Sequence, residues 1–219
     1  MSGNKKNILL LAIHPVNPSA RHINEVLDVL NNGGVIIFPT DTVYGLGCNP
    51  FHEKAVHNLA LVKRRSKGNF PILVDTITKA RELGHIGTVA ESLASRFWPG
   101  PLTIVVPSRA AFPFQISGRE KTVGLRIPRR PDTLELISGS GGALVGTSAN
   151  ISGSSSSRDA KEALHLLEGK VDIVLDGGLL PANLESTVVR LSESSIQVLR
   201  EGAISQGELG TAISSKTET

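Results

Sequence analysis

Apolar residues fall into two rhythms along this chain. One is the helical spacing of three and four. After Ser19, placed to cap a helix, Ile23, Val26, Leu27 and Leu30 form one apolar face that ends at Asn32-Gly33-Gly34. The same spacing predicts helices over Glu53–Arg64, Thr78–Leu83, Val89–Phe97, Asp132–Ile137, Asp159–Glu168 and Ser205–Ile213. The other rhythm is the short continuous apolar run of a buried strand. Ile8–Ile13, Val35–Phe38, Pro71–Asp75, Leu102–Pro107, Lys121–Ile127, Ala143–Val145, Val171–Leu175, Ser186–Leu191 and Ile196–Leu199 read this way. Trp98-Pro99-Gly100-Pro101 cannot continue a helix and marks a sharp turn, while Ser108–Glu120 has no period and reads as irregular. Met1–Lys6 and Ser214–Thr219 are expected to be loose ends. Strands and helices alternate without strict βαβ order. The expectation is an α/β single domain: one twisted, mixed parallel/antiparallel sheet flanked by helices, with a ligand groove at strand ends. The domain is drawn at residues 1–208, with 209–219 as a disordered tail.

One stretch organises the rest. In VIIFPTDTVYGLG, Val35–Gly47, an apolar strand stops at Pro39, which has no backbone donor, and opens into Thr40, Asp41, Thr42 and Tyr44. Ligands of open α/β sheets bind just past strand ends, and Gly45 and Gly47 would let backbone approach one closely.

Composition narrows the class. A chain that is 40% hydrophobic can bury a sizeable core, and no apolar run approaches the ~20 residues of a membrane span. Ile8–Ile13 follows Lys5-Lys6 but is short for a signal peptide and reads as a first strand. A single cysteine excludes an intrachain disulfide and a multi-thiolate zinc site, and suits a reducing compartment, the cytoplasm. The net charge of +3 permits an anionic ligand without demanding nucleic acid.

Several chemistries are absent. No phosphate-binding P-loop motif occurs, Pro50 spoils the dinucleotide pattern begun by Gly45-Leu46-Gly47, and the six histidines show no H-x-x-x-H or H-E-x-x-H spacing. Gly146-Thr147-Ser148-Ala149-Asn150 ends in Asn where a nucleophile elbow needs Gly. What remains is a set of loops at strand ends, rich in hydroxyls or cations: Thr40–Tyr44, Lys63–Asn69, Arg126, Thr147–Asn150, Ser186-Thr187 and Arg200. Each has a local explanation, such as a turn or a helix C-terminus favouring cations. Together, without an activated nucleophile, they suit a site that works by positioning and charge neutralisation, as nucleotidyl and phosphoryl transfer do.

The strings FPTDTVYGLG, Lys63-x-Arg65, WPGPLT, VGLRIP, TSANISG, DGG, STVV and LREGAI, in this order from about Gly33 to Ile204, resemble the YrdC family of threonylcarbamoyl-AMP synthases. The chain stops soon after the last motif and resembles the family's short, single-domain form. The resemblance implies an ATP-dependent reaction of L-threonine and bicarbonate, giving threonylcarbamoyl-adenylate and pyrophosphate, with magnesium on the phosphates. Downstream transfer proteins would then modify a tRNA adenosine. It implies that Lys63 and Arg65 neutralise the phosphates and that Thr122, Ser148, Asn150, Ser156 and Arg200 surround the nucleotide. Thr40, Tyr44, Arg126, Thr147 and Ser186 would lie around threonine, Arg126 on its carboxylate. Three departures stand out: Ser66 replaces a Pro, Phe70 is interposed before Pro71, and Asp75 stands where some members have His. The competing reading is a tRNA- or double-stranded-RNA-binding module without synthase activity, using Lys63, Arg64, Arg65, Lys67, Arg119, Lys121, Arg129 and Arg130. At 4% aromatic residues, base-stacking platforms are few, which counts against it.

Overall fold

A computed structural model describes residues 8–65, 69–182, 184–191 and 196–214. The loose termini expected at Met1–Lys6 and beyond Ser214 lie outside the described residues. The strands are β1 (Leu9–Ala12), β2 (Ile36–Phe38), β3 (Gly45–Gly47), β4 (Ile72–Val74), β5 (Leu102–Pro107), β6 (Thr122–Arg126), β7 (Ala143–Val145), β8 (Thr147–Ser148), β9 (Ile173–Asp176), β10 (Thr187–Leu191) and β11 (Ile196–Arg200). The helices are α1 (Ala20–Asn31), α2 (Glu53–Val62), α3 (Ile77–Leu83), α4 (Thr88–Phe97), α5 (Phe114–Ser117), α6 (Pro131–Gly139), α7 (Ala160–Leu166) and α8 (Gln206–Ser214).

The mixed pairing expected from the sequence is present, but the strands divide into two sheets where one was expected. Five strands run in the order β1-β9-β2-β3-β8 and six in the order β11-β10-β5-β6-β4-β7. β1, β9 and β2 are parallel; β3 turns back antiparallel on β2 and pairs with β8. In the second sheet β10 lies parallel to β5 and β4 parallel to β6, with antiparallel pairs between. Strand β2 reads as an unbroken apolar run because both faces are covered. Ile36 and Phe38 join α1 and α6 in one core cluster, while Ile37 faces the larger cluster with Tyr44, Leu46 and Val174.

Other expectations need correction. Ser19 makes no side-chain cap to α1. The irregular stretch Ser108–Glu120 contains the one-turn helix α5, which buries Ile116. The domain does not stop at residue 208: α8 runs on to Ser214, and Leu209 is buried in the main core. Ser205 starts that helix with a capping box, its hydroxyl accepting from Glu208 N while Ser205 N donates to the Glu208 carboxylate.

The two sheets meet where β3 passes β7. Val145 N donates to Cys48 O at 3.0 Å, and a Cβ on Gly47 would sit 2.5 Å from Val145 O. Only a residue without a side chain allows that approach. Just before β3, the Tyr44 hydroxyl donates to Gly178 O (2.7 Å) and accepts from Gly177 N (3.0 Å), in the turn after β9. The DGG turn is thereby fixed to the start of β3.

Candidate active site

A cavity of about 260 Å³ lies between the sheets. Its floor is one face of the six-stranded sheet. Thr103 and Val105 of β5, Thr122, Gly124 and Arg126 of β6, and Val188 and Arg190 of β10 project into it, every second residue in each strand. The walls are loops from the other sheet, Thr40–Gly45 and Gly146–Ser148, with Arg65 and Asn69 after α2, and Glu185, Ser186 and Arg200 opposite.

One end is built on Arg126. This guanidinium, 5% exposed, donates to Gly100 O (3.0 Å) and Thr42 Oγ1 (3.3 Å) and pairs with Asp41. Burial pulls the Arg126 pKa down, and the Asp41 charge opposes that shift. Thr40 supports the turn: its hydroxyl donates to Val43 O (2.6 Å) and accepts from Thr42 N (3.0 Å). Its hydrogen is therefore already used within the loop. Thr133 of α6 holds the loop from outside, donating to Pro39 O at 2.7 Å.

The other end gathers cations around one carboxylate. Lys63 closes α2 and is 2% exposed; its Nζ donates to Asn150 Oδ1 (2.5 Å) and Ser148 O (2.7 Å). Burial, with Arg65 and Arg200 nearby, lowers its pKa to about 8, although Glu185 pulls the other way. Arg65 packs its guanidinium over the Phe70 ring, 5.3 Å from the centroid. Burial, then Arg200, lower its pKa. The interposed Phe70, fully buried, is thus the seat of Arg65. Arg200 donates to Ser186 O (2.8 Å) and Oγ (3.2 Å) and pairs with Glu185. A Cβ on Gly202 would lie 2.2 Å from Glu185 O, so this glycine lets the chain after β11 press against that loop. Glu185 also accepts from Ser156 Oγ. Burial alone would raise its pKa; the Ser156 hydrogen bond, Arg200, Ser148 and Lys63 outweigh that and hold it below the ordinary carboxylate range.

Of the site residues named from the sequence, Thr40, Tyr44, Arg65, Thr122, Arg126, Thr147, Ser148, Ser186 and Arg200 line one cavity. Lys63, Asn150 and Ser156 stand one layer behind it, joined to it through Ser148 and Glu185. Glu185 and Thr103 were not among the sequence-derived site residues, while Asp41 and Thr42 fell within the Thr40–Tyr44 loop without a role of their own. Asp75 does not line the cavity and accepts from Thr76 Oγ1 (3.1 Å), while Ser66 and Lys67 lie outside the described residues. The basic patch of the RNA-binding reading is divided. Arg64, Arg119, Lys121 and Arg129 are exposed, whereas Lys63 is buried and Arg130 pairs with Asp132. No group of three or more potential metal ligands occurs, and no helix is long and apolar enough to cross a membrane, among the described residues.

Comparison with known proteins places this arrangement. The Sua5/YciO/YrdC family model, described as "Telomere recombination", matches residues 28–202. The threonylcarbamoyl-AMP synthase of Pyrococcus abyssi is 37% identical over 188 residues, 84% of this chain and 55% of that protein. The crystal structure of P. abyssi Sua5 complexed with L-threonine superposes with a TM-score of 0.88 at 33% identity, covering 94% of this chain and 61% of that one. Escherichia coli YciO superposes at 0.84 with 29% identity, covering 90% of this chain and 97% of that one. The chain thus spans little more than half of the synthase it matches and nearly all of YciO.

Proposed function

The chain belongs to the Sua5/YciO/YrdC family, and from that premise we propose that it makes L-threonylcarbamoyladenylate from L-threonine, bicarbonate and ATP, releasing pyrophosphate. The observation that supports this most is the cavity itself, whose lining joins an Arg126–Thr42 end to Arg65, Arg200 and Ser148, with Lys63 directly behind Ser148.

The threonine amine condenses with bicarbonate, losing water, to a carbamate. A carbamate oxygen then attacks the α-phosphorus, and the bond to the pyrophosphate oxygen breaks. Bicarbonate, the threonine carboxylate, the carbamate and the triphosphate all carry negative charge, so a main barrier the protein can lower is their mutual repulsion. Arg126 meets the threonine carboxylate, with the Asp41 pair holding its guanidinium in place. Arg65 and Arg200 neutralise the phosphates at the surface, and Lys63 adds charge from beneath Ser148 and Asn150. Thr122 lies toward the nucleoside, Thr147 and Ser186 between the two ends. Tyr44, both of whose hydrogen-bonding roles are used by the DGG turn, shapes the wall. Magnesium arrives on the ATP phosphates, since one nearby carboxylate and the absence of a three-ligand group among the described residues suit a water-rich ion. The product is handed to transfer proteins acting on tRNA, in the cytoplasm.

The test is pyrophosphate release from ATP with labelled bicarbonate. Release should require both threonine and bicarbonate and yield a labelled adenylate. Release at equal rate without threonine, or none with magnesium present, refutes the assignment.

A further inference from the structure

We propose that Glu185 is an internal anion that occupies the phosphate subsite and that anionic ligands bind by displacing it. The proposal rests on the reading above, in which this end of the cavity holds the ATP phosphates. Its observation is separate: the groups that would grip phosphate already grip a carboxylate. Arg200 Nη1 pairs with Oε2, Ser156 Oγ donates to Oε1, and the Lys63 ammonium, itself bonded to Ser148 and Asn150, stands close enough to stabilise the charge. The Glu185 side chain is 27% exposed, so it reaches these partners from the cavity wall rather than from inside the core.

Lys63 is buried, Arg65 partly buried and the Arg200 side chain 46% exposed; without an anion their like charges would repel, at the greatest cost to Lys63, which has lost its water. Glu185 supplies the missing charge while the site is empty. Two other roles fit less well. As a proton acceptor for the amine, a carboxylate held below its ordinary pKa range is weak. As a purely structural pair, it would have no reason to face the cavity that the cations line. An exchangeable internal anion also has a chemical use. Pyrophosphate left among three cations would dissociate slowly, and a carboxylate that returns to them competes with it.

The experiment is calorimetric titration of inorganic pyrophosphate into the full chain and into E185Q, at pH 6, where Lys63 is protonated in both. Melting curves confirm that each variant is folded, and E185A serves if the amide of E185Q re-forms the contacts. Removing a competing charge-assisted contact should tighten pyrophosphate about tenfold and slow its dissociation. A folded E185Q and E185A that bind pyrophosphate equally or more weakly overturn the proposal. In that event R65A decides how far the failure reaches. Weakened pyrophosphate binding in R65A confines it to Glu185, and unchanged binding overturns the phosphate-site reading as well.

Discussion

Lys63 offers a measurable consequence of burying a cation where an anion is to bind. In the free protein its pKa lies at about 8, against 10.5 for an ordinary lysine, chiefly through burial. At pH 8.5 only about a quarter of such groups carry a proton. A further negative charge about 5–7 Å away, at an effective dielectric of about 20, contributes roughly 2.4–3.3 kcal/mol, or about 2 pKa units. The bound-state pKa then returns to about 10, where nearly all the lysines are protonated. ATP binding at pH 8.5 should therefore take up about 0.7 proton, falling to nearly none at pH 6.5. The assay is calorimetry in two buffers of different ionisation enthalpy, whose difference counts protons directly. Affinity should weaken as pH rises through 8. K63R, which cannot deprotonate, should show no uptake and a flat profile. Stability carries the opposite sign. A lysine with a depressed folded-state pKa leaves the unfolded chain with more bound protons between pH 8 and 10.5, so its contribution to stability rises with pH across that window. The full change is about 3 kcal/mol, and it should vanish in K63M. No proton uptake at pH 8.5, or equal uptake in K63R, refutes the argument.

R126A should weaken threonine far more than ATP, and it also strands the Asp41 carboxylate, 11% exposed, at an expected cost of about 3–5 kcal/mol in stability. The double change D41N/R126M should recover much of that stability but no threonine binding, which melting curves and threonine titration separate. Ser148 donates to Asn150 Oδ1 at 2.8 Å and is not a nucleophile in this scheme, so S148A should cost about 0.5–1.5 kcal/mol in kcat/KM. Total inactivity of a folded S148A, or a covalent adduct on Ser148 by mass spectrometry during turnover, would contradict that.

The sequence was most informative where one side chain's neighbours are its own element. The β2 and β9 runs and the α1 and α2 faces follow from period alone. Strands β3 and β8, at three and two residues, exist because Gly45↔Ser148 and Leu46↔Thr147 pair across the molecule, and nothing local to either announces it. The split into two sheets is of the same kind, since pairing partners are chosen by packing. At the site, the family motifs named hydroxyls and cations of which nine line the cavity and Lys63, Asn150 and Ser156 do not. They gave no hint that Lys63 and Asn150 stand behind Ser148, or that Thr40 spends its hydrogen on Val43 O. Glu185 escaped notice because one carboxylate in a polar loop has no spacing to mark it. Phe70 was read as a departure from the motif, and only the three-dimensional arrangement shows it carrying Arg65.

The contact between Gly47 and Val145 O has a mechanical meaning. The cavity lies between two leaves, and this is a stitch through their spine: backbone touches backbone, and the Val145 N–H closes on Cys48 O. A book stitched there does not open wider to admit a guest. If the proposed function is right, room for ATP comes from side chains that swing, and the molecule should accept its ligands with its sheets held still. A methyl group at position 47 would act as a wedge in the spine. It would spread the floor from the walls and misalign Arg126 and Arg65 together, though it touches neither.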